Sequence, residues 1–436
     1  MKKPVLAFYG DDFTGSSENF AQACRHGLTG RLFFETADHA VIRAAGADYD
    51  VVGIAGTSRA QSPDEMAESL PPAFATLASL GARFVQYKIC STFDSAPRVG
   101  NFATVVALAA PHWPGAVVPV LPATPSFGRY TAYSNHFSRH QGAVLRLDRN
   151  PALVDHPSTP MREADLRRHL ETLGCRSVAA VHLPELDRTI DALAALVASR
   201  GASSVPVVLD TTTDAELLRL SEALWQLSAD RPVFALAAQG LAYGIGRVAA
   251  PPGAKAPTAA DRPRRVDRML VLSGSCSVQT ARQLAAAEAA GWTMIEMPTA
   301  EVVSPAAATA AVEALAPTVE AALAAGRSVA CYTARGAATL APDAQRTRAL
   351  GHLMAELFRR VVTRSGIRRV CFAGGDTSSY AMTSSGADAL DLAHFDAKQG
   401  CHVFRLAGGG AVDGAEVLLK GGQVGDDGFF LEALGG

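Results

Sequence analysis

A chain of 436 residues is too long for one core of ordinary size, so two domains are expected. Its 48% apolar and 19% charged residues exclude a disordered chain. A net charge of −2 removes the electrostatic case for nucleic acid or an anionic membrane surface as a partner.

The N-terminus is basic and then apolar, as a secretory signal is. Its apolar run is about five residues, against roughly 7–15 for a signal core, so Val5–Tyr9 reads as a first β-strand. Helix follows over Glu18–Cys24. Val51–Ala55 is a second strand, and Ser62-Pro63-Asp64-Glu65 opens a helix with Ser62 as N-cap, Pro63 at N1 and Glu65 closing a capping box. Arg83–Tyr87, Ala116–Val120, Val178–Val181 and Val205–Leu209 are further strands. The stretch Ala249–Arg265 is rich in Pro and Ala and has no apolar period, which marks a linker. Beyond it come strand Met269–Leu272, helix Val278–Ala290, strand Ser328–Tyr332, amphipathic helix Leu350–Ser365 and strand Val370–Ala373. A further helix is expected to begin within Ala381–Ala387. The Ala-rich segment Ala306–Ala325 is expected to form a surface helix pair broken at Pro317. No apolar stretch reads as a bilayer span.

The alternation predicts an α/β chain: two α/β domains with largely parallel sheets, residues 1–250 and 266–436, joined by residues 251–265. The seven cysteines are scattered with no Cys-x-x-Cys pair, so reduced thiols and a cytoplasmic location are expected. A homodimer is the base-rate expectation, and a flexible linker would permit exchange of C-terminal domains.

Ligands of open α/β sheets bind at the carboxyl ends of the strands. Gly10-Asp11-Asp12-Phe13-Thr14-Gly15 occupies such an end. One carboxylate, Asp12 in the first place and Asp11 in the second, could orient or deprotonate a substrate hydroxyl, while the other binds hydroxyls or positions the first. A plain turn with an Asp N-cap needs the same residues. Haloacid-dehalogenase phosphatases need their carboxylates two apart, and these are adjacent. Lys88-Ile89-Cys90-Ser91-Thr92-Phe93-Asp94-Ser95 ends another strand, with a point charge and several hydroxyls. Arg59 would reach the same rim, its fork suited to a carboxylate. His136, near Arg129 and Arg139, could touch an acid or be structural.

In the C-terminal half, Ser273-Gly274-Ser275-Cys276-Ser277 suits an anion at a helix start, with Cys276 read as a packed thiol. Gly-x-Ser-x-Gly is absent there, which excludes a serine hydrolase elbow. Gly374-Gly375-Asp376-Thr377 lets backbone approach a phosphate, and Asp376 or Thr377 could reach Mg2+ or a phosphate oxygen. Gly408-Gly409-Gly410 and Lys420-Gly421-Gly422 add two Gly-rich turns. There is no Walker A motif, and no residue spacing resembles a protein metal cage.

In order along nearly the whole chain, these segments resemble the four-carbon acid-sugar kinase family. Asp11-Asp12-Phe13-Thr14-Gly15 is similar to its Asp-Asp-x-Thr-Gly start. Lys88–Ser95 resembles the 3-oxo-tetronate kinase branch rather than the threonate and erythronate branch. His156-Pro157-Ser158-Thr159-Pro160-Met161 is similar to a further segment. The family's commoner Gly-Gly-Glu-Thr stands here as Gly-Gly-Asp-Thr. The resemblance implies an N-terminal sugar-acid domain, a C-terminal ATP domain, and phosphoryl transfer from ATP with Mg2+ to a terminal hydroxyl of a tetronate or 3-oxo-tetronate. It implies substrate contacts at Asp11 or Asp12, Arg59, Lys88, Ile89, Cys90 and Ser91. It implies nucleotide contacts at Ser273, Ser275, Gly374, Gly375, Asp376, Thr377 and Gly422. A branched or five-carbon oxo acid as substrate, and a non-catalytic sensor of sugar acid and nucleotide, stay open.

Overall fold

The computed structural model describes residues 2–156, 158–255, 257–258, 260–336, 344–408 and 410–435, with backbone alone at 344 and 376. Pro157, Ala256, Ala259, Gly409 and the side chain of Asp376, all within motifs or the linker named above, lie outside the described residues. The chain divides into two compact units, Met1–Ala256 and Pro257–Gly436, and each is an α/β structure.

The first unit is built on β1 (Leu6–Gly10), β2 (Gly30–Phe34), β3 (Val51–Ala55), β4 (Phe84–Lys88), β5 (Val118–Leu121), β9 (Ala179–Val181), β10 (Pro206–Leu209) and β11 (Phe234–Ala237). Between β5 and β9 come β6 (Arg129–Ala132), β7 (Asn135–His140) and β8 (Ala143–Arg146). The main sheet runs β2-β3-β1-β4-β11-β5-β10-β9, every neighbouring pair parallel. All residues of β1, β3 and β4 are buried, as helices on both faces of a parallel sheet require. Polar groups inside that sheet are paired. The Tyr9 hydroxyl donates to Glu35 at 2.6 Å, Tyr87 meets Ser58 at 2.7 Å, and Gln86 exchanges amide bonds with Asn19.

The chain winds outward from β1 through β3 and β2 on one side, and from β4 onward on the other. The β1–β4 junction is therefore a topological switch point, where strand-end crevices take ligands.

Strands β6, β7 and β8 form a separate antiparallel sheet that the alternation of strands and helices did not foretell. Its first turn places Tyr133 and Ser134 at φ 48° and 65°, and the buried Asp210 carboxylate accepts both their N–H groups at 2.6 and 2.9 Å. Asp210 follows β10, so the hairpin tip is tied to a strand end of the main sheet.

In the second unit, β12 (Leu270–Ser273), β13 (Thr293–Glu296), β14 (Val329–Tyr332), β15 (Arg369–Ala373), β16 (Ala389–His394), β17 (Val403–Ala407) and β18 (Glu416–Lys420) lie in the order β13-β14-β12-β15-β18-β17-β16. Pairing is parallel through β18, and β17 runs antiparallel to both its neighbours. Arg369 on β15 is fully buried. It bonds Glu416 through Nε and Nη2 at 2.9 and 2.7 Å, the Ala433 carbonyl at 2.7 Å and the Arg264 carbonyl at 2.6 Å. The end of the Pro/Ala-rich stretch is thereby fastened to the second unit.

Three expectations are corrected here. Pro305–Ala324 is one continuous helix with Pro317 inside it, not a broken pair. Its buried stripe Ala308, Val312, Ala316, Val319 and Leu323 runs past the proline, offsetting a local cost of about 3 kcal/mol. Length and composition alone would let this helix cross a bilayer, contrary to the sequence reading. Its buried stripe and the pairs of Arg360 with Glu313 (2.7 Å) and Glu320 (3.2 Å) fix it against helix Ala344–Ser365. The helix expected to begin within Ala381–Ala387 instead spans Asp376–Thr383. Ser385 donates to the Met382 carbonyl, and Gly386 at φ 84° turns the chain into β16.

Candidate functional site

Asp12 leaves β1 in an extended conformation and caps helix Phe13–Cys24, its Oδ2 accepting the Gly15 N–H at 3.1 Å. Capping starts the helix earlier than Glu18. The cap reading of the Asp pair therefore describes real geometry. Asp11 is buried, and the Arg59 fork closes on it through Nε–Oδ2 at 3.1 Å and Nη2–Oδ1 at 2.7 Å. The same Nη2 reaches Asp12 Oδ1 at 2.6 Å, and Lys88 Nζ lies 3.7 Å from that oxygen. A side chain at Gly15 would collide with the Lys88 ammonium and the Asp12 carboxylate, which accounts for the glycine.

Burial pushes Asp11 upward, against the opposing pull of Arg59. For Asp12 burial also acts upward, but the charges of Arg59 and Lys88 and the Gly15 N–H outweigh it and hold the carboxyl below its usual value. Asp12 keeps 26% of its side chain exposed and Asp11 1%, so Asp12 is the more accessible carboxylate. Arg59 is committed to the aspartates through Nε and Nη2, leaving only Nη1 for another partner among the described residues. Its fork grips protein carboxylates here, where the sequence suggested a substrate carboxylate.

The Lys88–Ser95 loop follows β4 across the switch point. The Ile89 side chain is in the core and its N–H bonds the Ala237 carbonyl, so that side chain is withdrawn from the rim. The Cys90 thiol contacts the Thr92 hydroxyl at 2.9 Å, and burial pushes it up to about 11, so it is protonated and not a nucleophile. Thr92 in turn donates to Asp94 at 2.7 Å.

Two buried histidines hold this loop. His136 Nε2–H donates to the Ser91 carbonyl at 2.9 Å, while Nδ1 accepts from Thr131 at 2.8 Å. His169 Nε2–H donates to Ser95 at 2.9 Å, and Ser95 donates to the Phe93 carbonyl at 3.0 Å. Burial pushes both histidines down from 6.5 to about 4. His136 is therefore a neutral strut for the loop. The unfolded chain takes up protons below pH 6.5 that these folded sites refuse, so stability falls as pH drops from 6.5 towards 4. Each site costs roughly 3 kcal/mol by the end of that window. Denaturant titrations of the protein at pH 7 and pH 4.5 are expected to reveal the loss, and His136→Gln to reduce it. A pH-independent stability of the first unit over this range would refute the assignment.

In the second unit, the residues expected to meet nucleotide gather at the carboxyl ends of the adjacent strands β12, β15 and β18. Ser273 is fully buried beneath the loop, its Oγ 3.4 Å from the Ser275 N–H. Ser277 donates to the Gly422 carbonyl at 2.5 Å, and Thr280 Oγ1 lies 3.0 Å from Ser275 Oγ. Lys420, buried at the end of β18, donates to Thr280 Oγ1 and the Gly421 carbonyl at 3.0 Å and the Gly422 carbonyl at 3.3 Å. Burial lowers its pKa. Gly274 leaves no room for a Cβ beneath the Thr377 hydroxyl. Gly374 has φ 137°, which favours glycine, and a Cβ at Gly375 would meet nothing within 4 Å. Helix Asp376–Thr383 starts at Gly375 with no side-chain cap, so its first N–H groups lack a capping side chain. Ser378 Oγ is buried without a partner among the described residues.

Cys276, read as packed, is exposed, and partial burial still raises its thiol pKa, so it is not an activated nucleophile. His156 caps its own turn through the Thr159 N–H at 3.1 Å, a local structural role. No group of three or more His, Cys, Asp or Glu that could hold a metal occurs among the described residues. Sequence reasoning named Lys420 only within a Gly-rich turn and missed Thr280 and the strut His169. A lysine ending an apolar strand run was the available signal for Lys420; His169, inside an ordinary helix, gave none.

Residues 6–245 match the sugar-binding N-terminal domain family, and residues 270–430 the nucleotide-binding C-terminal domain family. A 3-oxo-isoapionate kinase of Paraburkholderia graminis is 34% identical over 445 residues, covering 98% of this chain and 93% of the relative. A 3-oxo-tetronate kinase of Methylobacterium radiotolerans is 31% identical over 441 residues, covering 99% and 98%. A crystal structure of a Haemophilus influenzae protein is similar in fold, with a TM-score of 0.73 at 23% identity over 98% of this chain and 99% of that one. The chain thus belongs to the four-carbon acid-sugar kinase family and is an enzyme of the sugar-acid kinase class.

Proposed function

We propose that this enzyme transfers the γ-phosphoryl group of ATP to a terminal hydroxyl of a 3-oxo sugar acid, either a four-carbon 3-oxo-tetronate or a branched acid of the 3-oxo-isoapionate type. The observation that carries the reading is Asp12: an ionised, partly exposed carboxylate at the switch point, held by Arg59 and Lys88. The relatives named for these two acids support the substrate class.

Asp12 accepts a hydrogen bond from the substrate hydroxyl and aims its oxygen. Asp11 acts through Arg59, fixing the guanidinium that fixes Asp12. Lys88 balances the charge gathered around the attacking oxygen. Phosphoryl transfer rests mainly on such positioning and on charge stabilisation, so a carboxylate held below its usual pKa serves as an orienting group more than as a strong base. The helix start at Gly375–Thr377, the Ser275 hydroxyl and the Gly422 turn fit a polyphosphate, with uncapped N–H groups and an open glycine cradle. ATP bound with Mg2+ supplies the transferable phosphoryl group, and with no acidic cluster among the described residues the ion is expected to arrive on the phosphates.

The test is ADP release with Mg2+-ATP against tetronates, 3-oxo-tetronates, and branched and five-carbon oxo acids. Turnover with a 3-oxo acid well above that with the tetronates is expected. A folded, ATP-binding protein that releases no ADP with any of these acids would favour the sensor reading.

A further inference from the structure

The charges at the switch point cancel: Asp11 and Asp12 face Arg59 and Lys88, and Arg59 spends Nε and Nη2 on the aspartates. A sugar acid brings its own carboxylate, and these residues leave it no matched fork. We propose that Arg129, on the antiparallel sheet, binds the substrate carboxylate, an inference that rests on the sugar-acid reading above.

The geometry points Arg129 at the loop. In the β6–β7 ladder Arg129 lies opposite Ser138, and Thr131 opposite His136. Directly opposed residues share a face of an antiparallel pair, as do residues two apart on one strand. The face that presents Thr131 and His136 to the Ser91 carbonyl therefore presents Arg129 one pair further along. The Asp94 carboxylate lies near enough to Arg129, and Arg129 near enough to His136, for their charges to be felt, in keeping with that facing.

The guanidinium is only half used. Nη1 donates to the Phe127 and Gly128 carbonyls at 3.1 and 3.3 Å, which fixes one side of the group. Among the described residues the buried Nε has no partner, and Nη2 has none either. Nε and Nη2 together form the edge that takes a carboxylate in two parallel bonds. A buried donor left unbonded is costly, and a carboxylate drawn onto that edge by a small turn of the side chain removes the cost. Arg139, the neighbouring cation, is exposed and donates to the Tyr130 hydroxyl, so it is the weaker candidate. Arg129 thus sets which end of the acid is anchored, and the hydroxyl end is left for Asp12.

The test uses Arg129→Met and Arg129→Lys in the full-length enzyme, with acid binding followed by calorimetry and turnover by ADP release. The probes are 3-oxo-tetronate, the branched 3-oxo acid and their primary amides. Arg129→Met is expected to raise Kd and KM for the acids about 10- to 100-fold, from the loss of a charge-assisted pair. It should leave the KM for ATP nearly unchanged and abolish the preference of acid over amide. Arg129→Lys, which keeps the charge and loses the fork, should recover part of the affinity. Acid binding by Arg129→Met within twofold of wild type, or an equal loss for acid and amide, overturns the proposal, as does Lys binding as tightly as Arg. Should Arg129→Met fail to fold, as judged by its melting curve, Arg129→Lys decides alone on the acid-to-amide ratio. Wild-type binding of acid without phosphoryl transfer would sink the kinase reading and leave Arg129 to be judged by the binding ratios. A wild type that binds no acid would sink the inference itself.

Discussion

Asp12→Asn is expected to fold normally and to lose about 10²- to 10⁴-fold in turnover. Asparagine keeps an oxygen for the Gly15 N–H, so the helix start survives. What disappears is the charge that meets Arg59 Nη2 and Lys88 and the acceptor that aims the substrate hydroxyl. Asp11→Asn should behave differently. Asp11 is buried and takes both arms of the Arg59 fork, so its loss leaves a poorly compensated cation and costs about 3–5 kcal/mol of stability. The rate defect there follows from a displaced Asp12. Because Asp12 sits below its usual carboxyl value, its titration should not appear in the rate between pH 6 and pH 8. Initial rates combined with melting curves separate the two effects. An Asp12→Asn enzyme within threefold of wild type would refute the role.

Arg369→Met is expected to lower the stability of the second unit by about 3–5 kcal/mol, the range for breaking a buried ion pair from one side. The change strands Glu416 and two carbonyl groups, one near the C-terminus and one from the stretch entering the unit. Two compact units need not unfold together, so a single melting temperature is a poor readout. Hydrogen exchange in peptides carrying β15 and β18 isolates the effect, and these should open sooner while β1 and β4 keep their protection. Unchanged exchange in both strands would mean the buried pair contributes nothing to the unit.

How far the sequence carried the reading depended on how local each determinant was. The capping box at Ser62, the β3 run and the Asp pair after β1 are set by neighbours within a few residues, and all are legible as written. The direction of the Arg59 fork depends on Asp11, 48 residues away, and no spacing encodes it. The hairpin of β6 and β7 turns on Tyr133-Ser134, without the Asn-Gly or Gly residues that usually announce such a turn. Asp210 stabilises it from 76 residues further along the chain. Pro317 misled in the opposite sense. Its local cost is real, but a stripe of buried side chains on both sides keeps the helix whole. The nucleotide-half residues were legible as glycines and hydroxyls at strand ends. Lys420 was legible as the charge of a Gly-rich turn, but its bond to Thr280, which ties the loops together, spans a distance no local pattern encodes.

The most direct measurement of the central claim is the product itself. With Mg2+-ATP and a 3-oxo sugar acid, phosphorus NMR and mass spectrometry should find a phosphomonoester on the terminal hydroxyl, formed one-for-one with ADP. ADP accompanied only by inorganic phosphate, or a phosphoryl group on the carboxylate in place of the hydroxyl, would contradict it.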